Sequence, residues 1–270
     1  MKILTVVSDR NNLGFFRLKV TCALQGLDLV AIVCPPAEFV NNRVKDELLK
    51  RYLMTLDEEE IVMFSDGYDT LLMAGEDEIL EKYYRTDCDL LVSAEANCFP
   101  ERSLSEKYPV CDTIYRYLNC GGFIGKAGAI KAFLYTEISA PGEGFPWSNQ
   151  YIWTQKYLQD TGKLKLDSQC DLFCTFFTAI AGYPTPEDAM NHPEAYTRLY
   201  SEWFYHHFVI REGRIFNKLT GTWPCNVHFN GVSTIFLDNS TVSLDLVYSQ
   251  IAGNSRGSLR YVSGLSEAVV

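Results

Sequence analysis

The chain has 270 residues, of which 47% are hydrophobic and 21% charged, and its formal net charge is −10. This composition predicts a globular protein with one large α/β domain or two small ones, and it excludes a disordered chain. The negative charge disfavours nucleic acid and anionic membranes as partners, because both require a basic surface.

The amino terminus and the cysteines predict a soluble cytoplasmic protein. Residues 1–8 become polar too early for a signal peptide, and no apolar run is long enough for a membrane span. The nine cysteines contain no Cys-x-x-Cys pair. That pattern favours free thiols in a reducing compartment over a disulfide framework or a zinc site.

Apolar runs and amphipathic segments alternate along the first quarter of the chain. The patterns predict strands at Ile3–Val7, Leu29–Cys34 and Ile61–Ser65, with helices at Gly14–Leu27 and Asn41–Leu53 between them. This β-α-β-α-β order predicts an α/β fold with a mostly parallel sheet and right-handed crossovers.

The same reasoning places further elements along the chain. Residues 236–270 are predicted to form a loosely attached tail. After Cys170 the sequence becomes aromatic and irregular, including Pro184 and Pro186. The further helices are predicted at Glu76–Tyr84, Ala127–Thr136 and Asn149–Leu158, and the further strands at Asp89–Glu95, Arg116–Gly125, Trp203–Arg211 and Cys225–Gly231.

Two carboxylates follow the third strand. Asp66 ends the strand, and Gly67 allows a sharp turn that returns Asp69 to the same edge. Open α/β sheets bind ligands at the carboxyl ends of their strands, and paired carboxylates suit Mg²⁺ or Mn²⁺ together with substrate phosphates. Taken alone, an ordinary acidic turn is the simpler interpretation.

Two later segments also carry polar groups where a strand is predicted to end. They are Asn119-Cys120-Gly121-Gly122 and His228-Phe229-Asn230-Gly231. A single histidine after a strand is usually structural, and paired glycines are often a turn or bulge. If the strand ends converge, however, His228 adds an imidazole to the two carboxylates and completes a site suited to Mn²⁺.

Four blocks in fixed order resemble the glycosyltransferase domain of the procollagen-lysine hydroxylases and the related collagen galactosyl- and glucosyltransferases. The resemblance covers roughly residues 3 to 235, and four ordered blocks are more specific than any single motif. The blocks are Phe64–Asp69, Leu91–Glu95, Leu118–Gly125 and Val227–Gly231.

The resemblance implies a GT-A fold, a Rossmann-like domain over residues 1–235 with a mostly parallel central sheet flanked by helices. It implies Mn²⁺, or else Mg²⁺, with UDP-glucose or UDP-galactose as donor and a hydroxyl acceptor such as (galactosyl-)hydroxylysine of a collagen-like protein. The implied metal ligands are Asp66, Asp69 and His228. The implied nucleotide and donor-sugar contacts are Val7, Ser8, Lys45, Asp66, Tyr68, Ser93, Asn119, Gly121, Gly122, Asn230 and Gly231. The implied catalytic positions are Glu95, Asn149 and Gln150.

The sequence departs from the family pattern in two places. The run Trp147-Ser148-Asn149-Gln150 has no carboxylate where the family has a run of Asp. The segment Val232-Ser233-Thr234 lacks the lysine that the family places shortly after His-x-Asn-Gly. Losing a cationic contact to the leaving diphosphate costs about 2–4 kcal/mol of transition-state stabilisation if nothing replaces it.

Two other interpretations stay open at this stage. A degenerate relative would bind a nucleotide sugar or scaffold a partner with weak or no transfer, which the Asn149 and Thr234 replacements favour and the intact ligand set disfavours. A nucleotidyltransferase would share the sheet and the metal, but Ser8–Asn12 is a poor match to the Gly-rich basic loop that it needs.

Overall fold

The computed structural model describes residues 1–138, 144–160, 162, 164–176, 188, 191–211, 213–234, 237 and 259–263. Residues 141–143 of a Gly- and Pro-rich loop, Pro184, Pro186 and most of the predicted tail lie outside these ranges. The domain boundary at residue 235 therefore stays a prediction.

Strands and helices alternate along most of the described chain. The strands are β1 (Lys2–Val7), β2 (Leu29–Val33), β3 (Ile61–Ser65), β4 (Thr70–Leu72), β5 (Leu90–Glu95), β6 (Tyr117–Lys126), β7 (Lys165–Asp167), β8 (Phe173–Thr175), β9 (Phe208–Arg211), β10 (Arg214–Asn217), β11 (Asn226–His228) and β12 (Leu259–Ser263). The α-helices are α1 (Leu13–Leu24), α2 (Arg43–Leu53), α3 (Glu76–Arg85), α4 (Ala127–Tyr135), α5 (Asn149–Gln159) and α6 (Pro193–His207). Short 3₁₀ turns span Arg102–Lys107 and Gly231–Ser233.

The main sheet of the described residues has the strand order β12-β2-β1-β3-β6-β5-β7. Strand β1 is parallel to β2 and β3, β12 is parallel to β2, and β7 is parallel to β5. Only β6 runs antiparallel to both of its neighbours in this sheet. The predicted α/β fold with a mostly parallel sheet flanked by helices is confirmed.

Helices cover both faces of this sheet because successive side chains of a strand point to opposite faces. Leu4 and Val6 of β1 pack with apolar side chains of α2, α4 and α5 on one face. Ile3 and Val7 pack with those of α1 and α3 on the other. A third cluster joins the small sheet β4-β11-β8 to helix α6.

Capping side chains fix the start of helices α1 and α5. The Asn12 side chain accepts hydrogen bonds from the backbone N–H groups of Gly14 and Phe15 at the start of α1. The Ser148 hydroxyl accepts one from Tyr151 N at 3.2 Å at the start of α5. Both satisfy backbone donors that have no partner within the helix.

Two sequence-based assignments are wrong. Only Phe208–Arg211 of the predicted strand Trp203–Arg211 is a strand, because Tyr196, Tyr200 and Phe204 recur at four-residue spacing and bury one face of α6. The Asn119–Gly122 segment does not follow a strand but lies inside β6. Strand β4 and strands β7, β8 and β10 were missed, since three or four residues carry too little periodicity. Strand β12 was also missed: it lies inside the predicted loosely attached tail but pairs with β2 in the main sheet.

None of the helices in the described ranges combines the length and the apolar character that a bilayer span requires. The cytoplasmic location stays a prediction.

Candidate active site

Asp66, Asp69 and His228 converge at one point of the structure. One potential ligand atom from each side chain lies within 4.8 Å of the others, and this is the one such His/Cys/Asp/Glu group among the described residues. Nε2 of His228 lies 3.2 Å from Oδ2 of Asp69 and 3.9 Å from Oδ2 of Asp66. Two carboxylates and an imidazole suit Mn²⁺ and leave further coordination positions open.

The convergence depends on pairing between the ends of two distant strands. In the antiparallel pairing of β11 with β4, His228 lies opposite Thr70, the residue after Asp69. The backbone N–H of Phe229 also donates to the carbonyl of Asp69 at 2.8 Å. Strand β4, which the sequence patterns missed, therefore places the imidazole beside the acidic turn.

Strand β6 supplies the opposite wall of the same site. Because β6 is antiparallel to β3, its first half lies beside the carboxyl end of β3, with Ser65 opposite Gly122. Asp66 N donates to the carbonyl of Gly121 at 2.8 Å. The polar segment around Gly121 thus reaches the site from within a strand.

The carboxylates change the protonation of His228. Burial lowers the pKa of its imidazole, but the nearby Asp69 and Asp66 carboxylates raise it by more, so the net pKa lies above its ordinary value. Nδ1 of His228 has no hydrogen-bond partner among the described residues. A bound cation would compete with that proton for the imidazole.

Lys45 brings a positive charge from α2 to the same place. Its Nζ lies 2.8 Å from Oδ1 of Asp66. Burial lowers the pKa of Lys45, but the charge and hydrogen bond of Asp66, together with Cys120 and Asp69, raise it by more in sum, so the ammonium is charged. The site therefore balances two carboxylates with one lysine.

A cavity of about 270 Å³ opens beside these residues. Its lining includes ten of the residues predicted from the sequence: Lys45, Asp66, Glu95, Asn119, Gly121, Asn149, Gln150, His228, Asn230 and Gly231. Asp69, although it contacts His228, lies outside the lining together with Val7, Ser8, Tyr68, Ser93 and Gly122.

Glu95 is a buried carboxylate held by three side-chain amides. Oε1 accepts hydrogen bonds from Nδ2 of Asn119 at 3.1 Å and Nε2 of Gln150 at 2.6 Å. Oε2 accepts one from Nδ2 of Asn230 at 3.1 Å. Burial raises the pKa of Glu95 to about 7, although the three amide donors oppose that rise.

Asn149 and Gln150 begin helix α5 and point in different directions. Gln150 donates to Glu95 as described, and its Oε1 accepts a hydrogen bond from Cys120 N at 3.4 Å. Asn149 donates from Nδ2 to Oδ1 of Asp46 on α2, at 3.1 Å. Only Gln150 of this pair contacts the Glu95 network.

The predicted nucleoside residues form a separate group next to the acidic turn. The Tyr68 hydroxyl accepts hydrogen bonds from the backbone N–H groups of Ser8 and Asp9, each at 2.7 Å. Val7 is buried in the core. Ser93 is also buried, with Cβ 3.4 Å from the position that a Cβ on Gly122 would occupy.

Sequence reasoning missed several residues of the cavity. Asn42 and Phe99 line it, and Phe99 lies against Trp147 with the ring centroids 6.0 Å apart. Asp46, which contacts the wall from behind, was also missed. A polar residue on the buried face of an amphipathic helix was the available signal for Asp46, whereas no local pattern marks Asn42 or Phe99.

Residues 37–253, well over half of the chain, match the family model described as the PLOD GT domain. The chain belongs to this family. It is a glycosyltransferase with the predicted α/β architecture, and the nucleotidyltransferase alternative is not supported.

Several curated relatives show similarity over parts of the chain. Procollagen-lysine,2-oxoglutarate 5-dioxygenase of Drosophila melanogaster is 30% identical over 181 residues, which are 67% of this chain and 22% of the relative. The multifunctional procollagen lysine hydroxylase and glycosyltransferase LH3 of Homo sapiens is 47% identical over 73 residues, 27% of this chain and 10% of the relative. An uncharacterized protein of Acanthamoeba polyphaga mimivirus is 28% identical over 189 residues, which are 69% of this chain and 35% of the relative. The chain thus spans between 10% and 35% of the length of these relatives.

Solved structures show only distant likeness. A glycosyltransferase involved in the glycosylation of the major capsid of PBCV-1 has a TM-score of 0.43 and 10% identity, covering 92% of this chain and 98% of that one. The WbbM bifunctional glycosyltransferase has a TM-score of 0.46 and 8% identity, covering 93% and 52%. The family assignment does not rest on them.

Proposed function

We propose that this glycosyltransferase moves glucose or galactose from UDP to a hydroxyl group, with Mn²⁺ or Mg²⁺ held by Asp66, Asp69 and His228. The observation that carries the proposal is the approach of these three side chains to within 4.8 Å, beside a cavity of about 270 Å³. Family membership supports the proposed reaction class, and the geometry supports the proposed site.

The donor set fits a divalent ion with oxygen and imidazole preference. The carboxylates of Asp66 and Asp69 are hard oxygen donors, and Nε2 of His228 already points at both. When bound, such an ion would offset the negative charge that develops on the departing diphosphate.

Lys45 is proposed to bind the diphosphate. It is the only lysine or arginine among the described residues that line the cavity. The late lysine of the family is absent, and Thr234 instead donates its hydroxyl hydrogen bond to the carbonyl of Gly231 at 2.9 Å. A cation from α2 would then replace the missing contact.

Glu95 is proposed to act on the sugar side. The bond to the anomeric carbon breaks through a transition state with positive character, which a carboxylate stabilises when it is ionised. Asn119, Gln150 and Asn230 hold both of its oxygens in place. Gln150 and Asn149 complete this wall as proposed sugar contacts, with Gly121, Gly122, Ser93 and Gly231 on the same donor side.

Tyr68 and Ser8 are proposed to mark the nucleoside end, with Val7 behind them. Tyr68 lies in the acidic turn between two proposed metal ligands, and its hydroxyl is fixed by Ser8 N and Asp9 N. A nucleoside beside Tyr68 would therefore be within reach of a diphosphate at Asp69.

The names of the relatives point to a collagen-like acceptor. They include procollagen lysine hydroxylases, and LH3 is also called a glycosyltransferase. The proposed acceptor hydroxyl is accordingly that of hydroxylysine or galactosyl-hydroxylysine. Phe99 and Trp147, each 42% exposed at the cavity, offer aromatic surface on which a sugar can stack.

A second candidate is a nucleotide-sugar-binding or scaffold protein with weak or no transfer. The observation that favours it is the absence of a carboxylate at Asn149, whose amide hydrogen bond goes to Asp46 instead. An amide can accept a hydrogen bond but cannot supply negative charge or act as a base.

The decisive experiment measures UDP release from UDP-glucose and UDP-galactose with Mn²⁺, with Mg²⁺ and with chelator. Transfer predicts metal-dependent release that Asp69→Ala abolishes and that His206→Ala, an exposed histidine on α6, leaves intact. Mn²⁺-dependent binding of UDP without turnover would select nucleotide-sugar binding without transfer. The absence of both UDP binding and turnover would overturn transfer and nucleotide-sugar binding and leave the scaffold role.

A further inference from the structure

Asp46 is a buried carboxylate behind one wall of the cavity. It lies on the inner face of α2 and is 9% exposed. Its Oδ1 accepts a hydrogen bond from Nδ2 of Asn149 at 3.1 Å, and its Oδ2 accepts one from Nε1 of Trp153 at 2.9 Å. Asn149 lines the cavity, whereas Asp46 does not.

The chemistry of these three side chains fixes the orientation of the Asn149 amide. An indole N–H can only donate a hydrogen bond, and an ionised carboxylate can only accept. Asn149 must therefore turn its NH₂ group towards Asp46. Its carbonyl oxygen Oδ1 accepts no hydrogen bond within the described chain, so it is the polar atom that Asn149 has left to offer.

Two opposing effects act on the charge of Asp46. Burial raises the pKa of its carboxyl group, and the hydrogen bonds from Asn149 and Trp153 and the charges of Lys45 and Lys156 oppose that rise. Both donors contact the carboxylate in its accepting form.

We propose that Asp46 is a positioning residue that locks the Asn149 amide so that the cavity wall presents a hydrogen-bond acceptor to a substrate hydroxyl group. This inference rests on the proposed function, because a sugar or a hydroxyl acceptor supplies the required O–H donor. The wall remains uncharged at Asn149, while the negative charge that orients it stays buried one layer behind.

Asp46→Asn is expected to replace the hydrogen-bond acceptor that Asn149 presents to the cavity with a donor, without changing the volume of the wall. Trp153 still needs an acceptor, so the new amide turns its oxygen to the indole and its NH₂ to Asn149. Asn149 must then accept with Oδ1 and turn its own NH₂ into the cavity. The cavity wall, which in wild type accepts a hydrogen bond from a substrate hydroxyl, would then place an NH₂ donor against that hydroxyl.

The exchange variant Asp46→Asn/Asn149→Asp restores the original pattern. The amide at position 46 satisfies Trp153 with its oxygen and donates to the carboxylate at position 149, whose second oxygen faces the cavity as an acceptor. Asn149→Asp alone instead places two carboxylates against each other. Comparison of the three variants therefore separates the effect of the hydrogen-bonding pattern at position 149 from the effect of which residue types are present at the two positions.

The test compares kcat and KM for UDP release at pH 8 in these variants, with thermal melting as the measure of folding. Asp46→Asn is expected to lower kcat/KM about 10- to 100-fold, and the exchange variant to recover most of that loss. Glu47→Gln is the control, because it makes the same chemical change at an exposed neighbour on α2. Within the described chain, the Glu47 carboxylate pairs only with Lys50.

Deoxygenated donors supply a readout that a purely structural role would not change. A UDP-sugar that lacks the hydroxyl donating to Asn149 is expected to react more slowly than the intact UDP-sugar with wild type. With Asp46→Asn, the two donors are expected to react equally fast. If Asp46→Asn fails to fold, the comparison of the exchange variant with Asn149→Asp decides instead.

Two results would overturn the inference: a folded Asp46→Asn variant with wild-type kcat/KM, or an exchange variant no better than the single variants. Both require an active wild type, so they leave the proposed function standing. A wild type that releases no UDP from either donor overturns the proposed function and this inference together.

Discussion

Gly121 lies directly against His228, and a Cβ atom at this glycine would come within 2.9 Å of the imidazole Nδ1. The same atom would lie 2.8 Å from Oδ2 of Asp66. Side-chain atoms do not pack at such distances, and the backbone of β6 cannot retreat without breaking its pairing with β3. The absence of a side chain at Gly121 is therefore a requirement of the proposed metal site.

Gly121→Ala should displace His228 from the two carboxylates. We expect Mn²⁺ affinity to fall at least 10-fold, because a misplaced ligand loses much of its coordination energy. Titration with Mn²⁺ monitored by thermal melting or calorimetry measures it. Gly162→Ala, whose Cβ would lie no closer than 3.5 Å to a neighbouring side-chain atom, is the matched control. Unchanged Mn²⁺ affinity in Gly121→Ala would contradict the proposed ligand set.

Lys45→Met should reduce the magnitude of the free energy of UDP binding by more than it reduces the free energy of unfolding. The substitution keeps an unbranched apolar stem but removes the charge beside Asp66, so we expect UDP affinity in the presence of Mn²⁺ to fall on the order of 10-fold. Lys50→Met on the same helix removes an ammonium that pairs with the exposed Glu47, and it should leave UDP affinity unchanged. Equal losses in both variants would mean that Lys45 acts only through general electrostatics.

The protonation of His228 should make metal binding depend on pH. Its folded-state pKa lies above the ordinary 6.5, so protonation stabilises the metal-free fold below that value, and this contribution is lost as pH rises through the folded pKa. Mn²⁺ requires the neutral imidazole. The increase in Tm caused by Mn²⁺ should therefore be larger at pH 8 than at pH 6, and His228→Gln should abolish this difference. An increase in Tm that is the same at both values would argue against imidazole ligation.

Glu95 should give the reaction a second dependence on pH. Burial raises its pKa from 4.5 to about 7, so the folded state binds a proton more tightly than the unfolded chain. Its contribution to stability is complete below about pH 4.5 and falls as pH rises towards 7. The ionised form is the proposed catalytic one, so kcat should rise through about pH 7.

Glu95→Gln provides the test of that assignment. It keeps the volume but places an NH₂ group among amide donors from Asn119, Gln150 and Asn230. We expect kcat to fall about 100-fold or more, and the limb near pH 7 to disappear from what remains. A Glu95→Gln enzyme with wild-type kcat would remove Glu95 from the mechanism.

Much of the secondary structure and the candidate ligands of the proposed metal site could be predicted from local sequence. Strands β1, β2 and β3 are apolar runs, and α1, α2 and α3 show helical spacing, so each is apparent without knowing its neighbours. The acidic turn at Asp66 and the order of four blocks were enough to predict the fold class and the glycosyltransferase family. These features lie within a few consecutive residues, where backbone preferences and residue chemistry act directly.

Tertiary structure alone decided which of these residues meet. The antiparallel course of β6 brings the middle of a strand to the end of β3, and the pairing of β11 with β4 places His228 beside Asp69. The contact between Asp46 and Asn149 joins residues 103 positions apart. Strand order and register are set by hydrogen bonds and burial between distant segments, so no local pattern contains them.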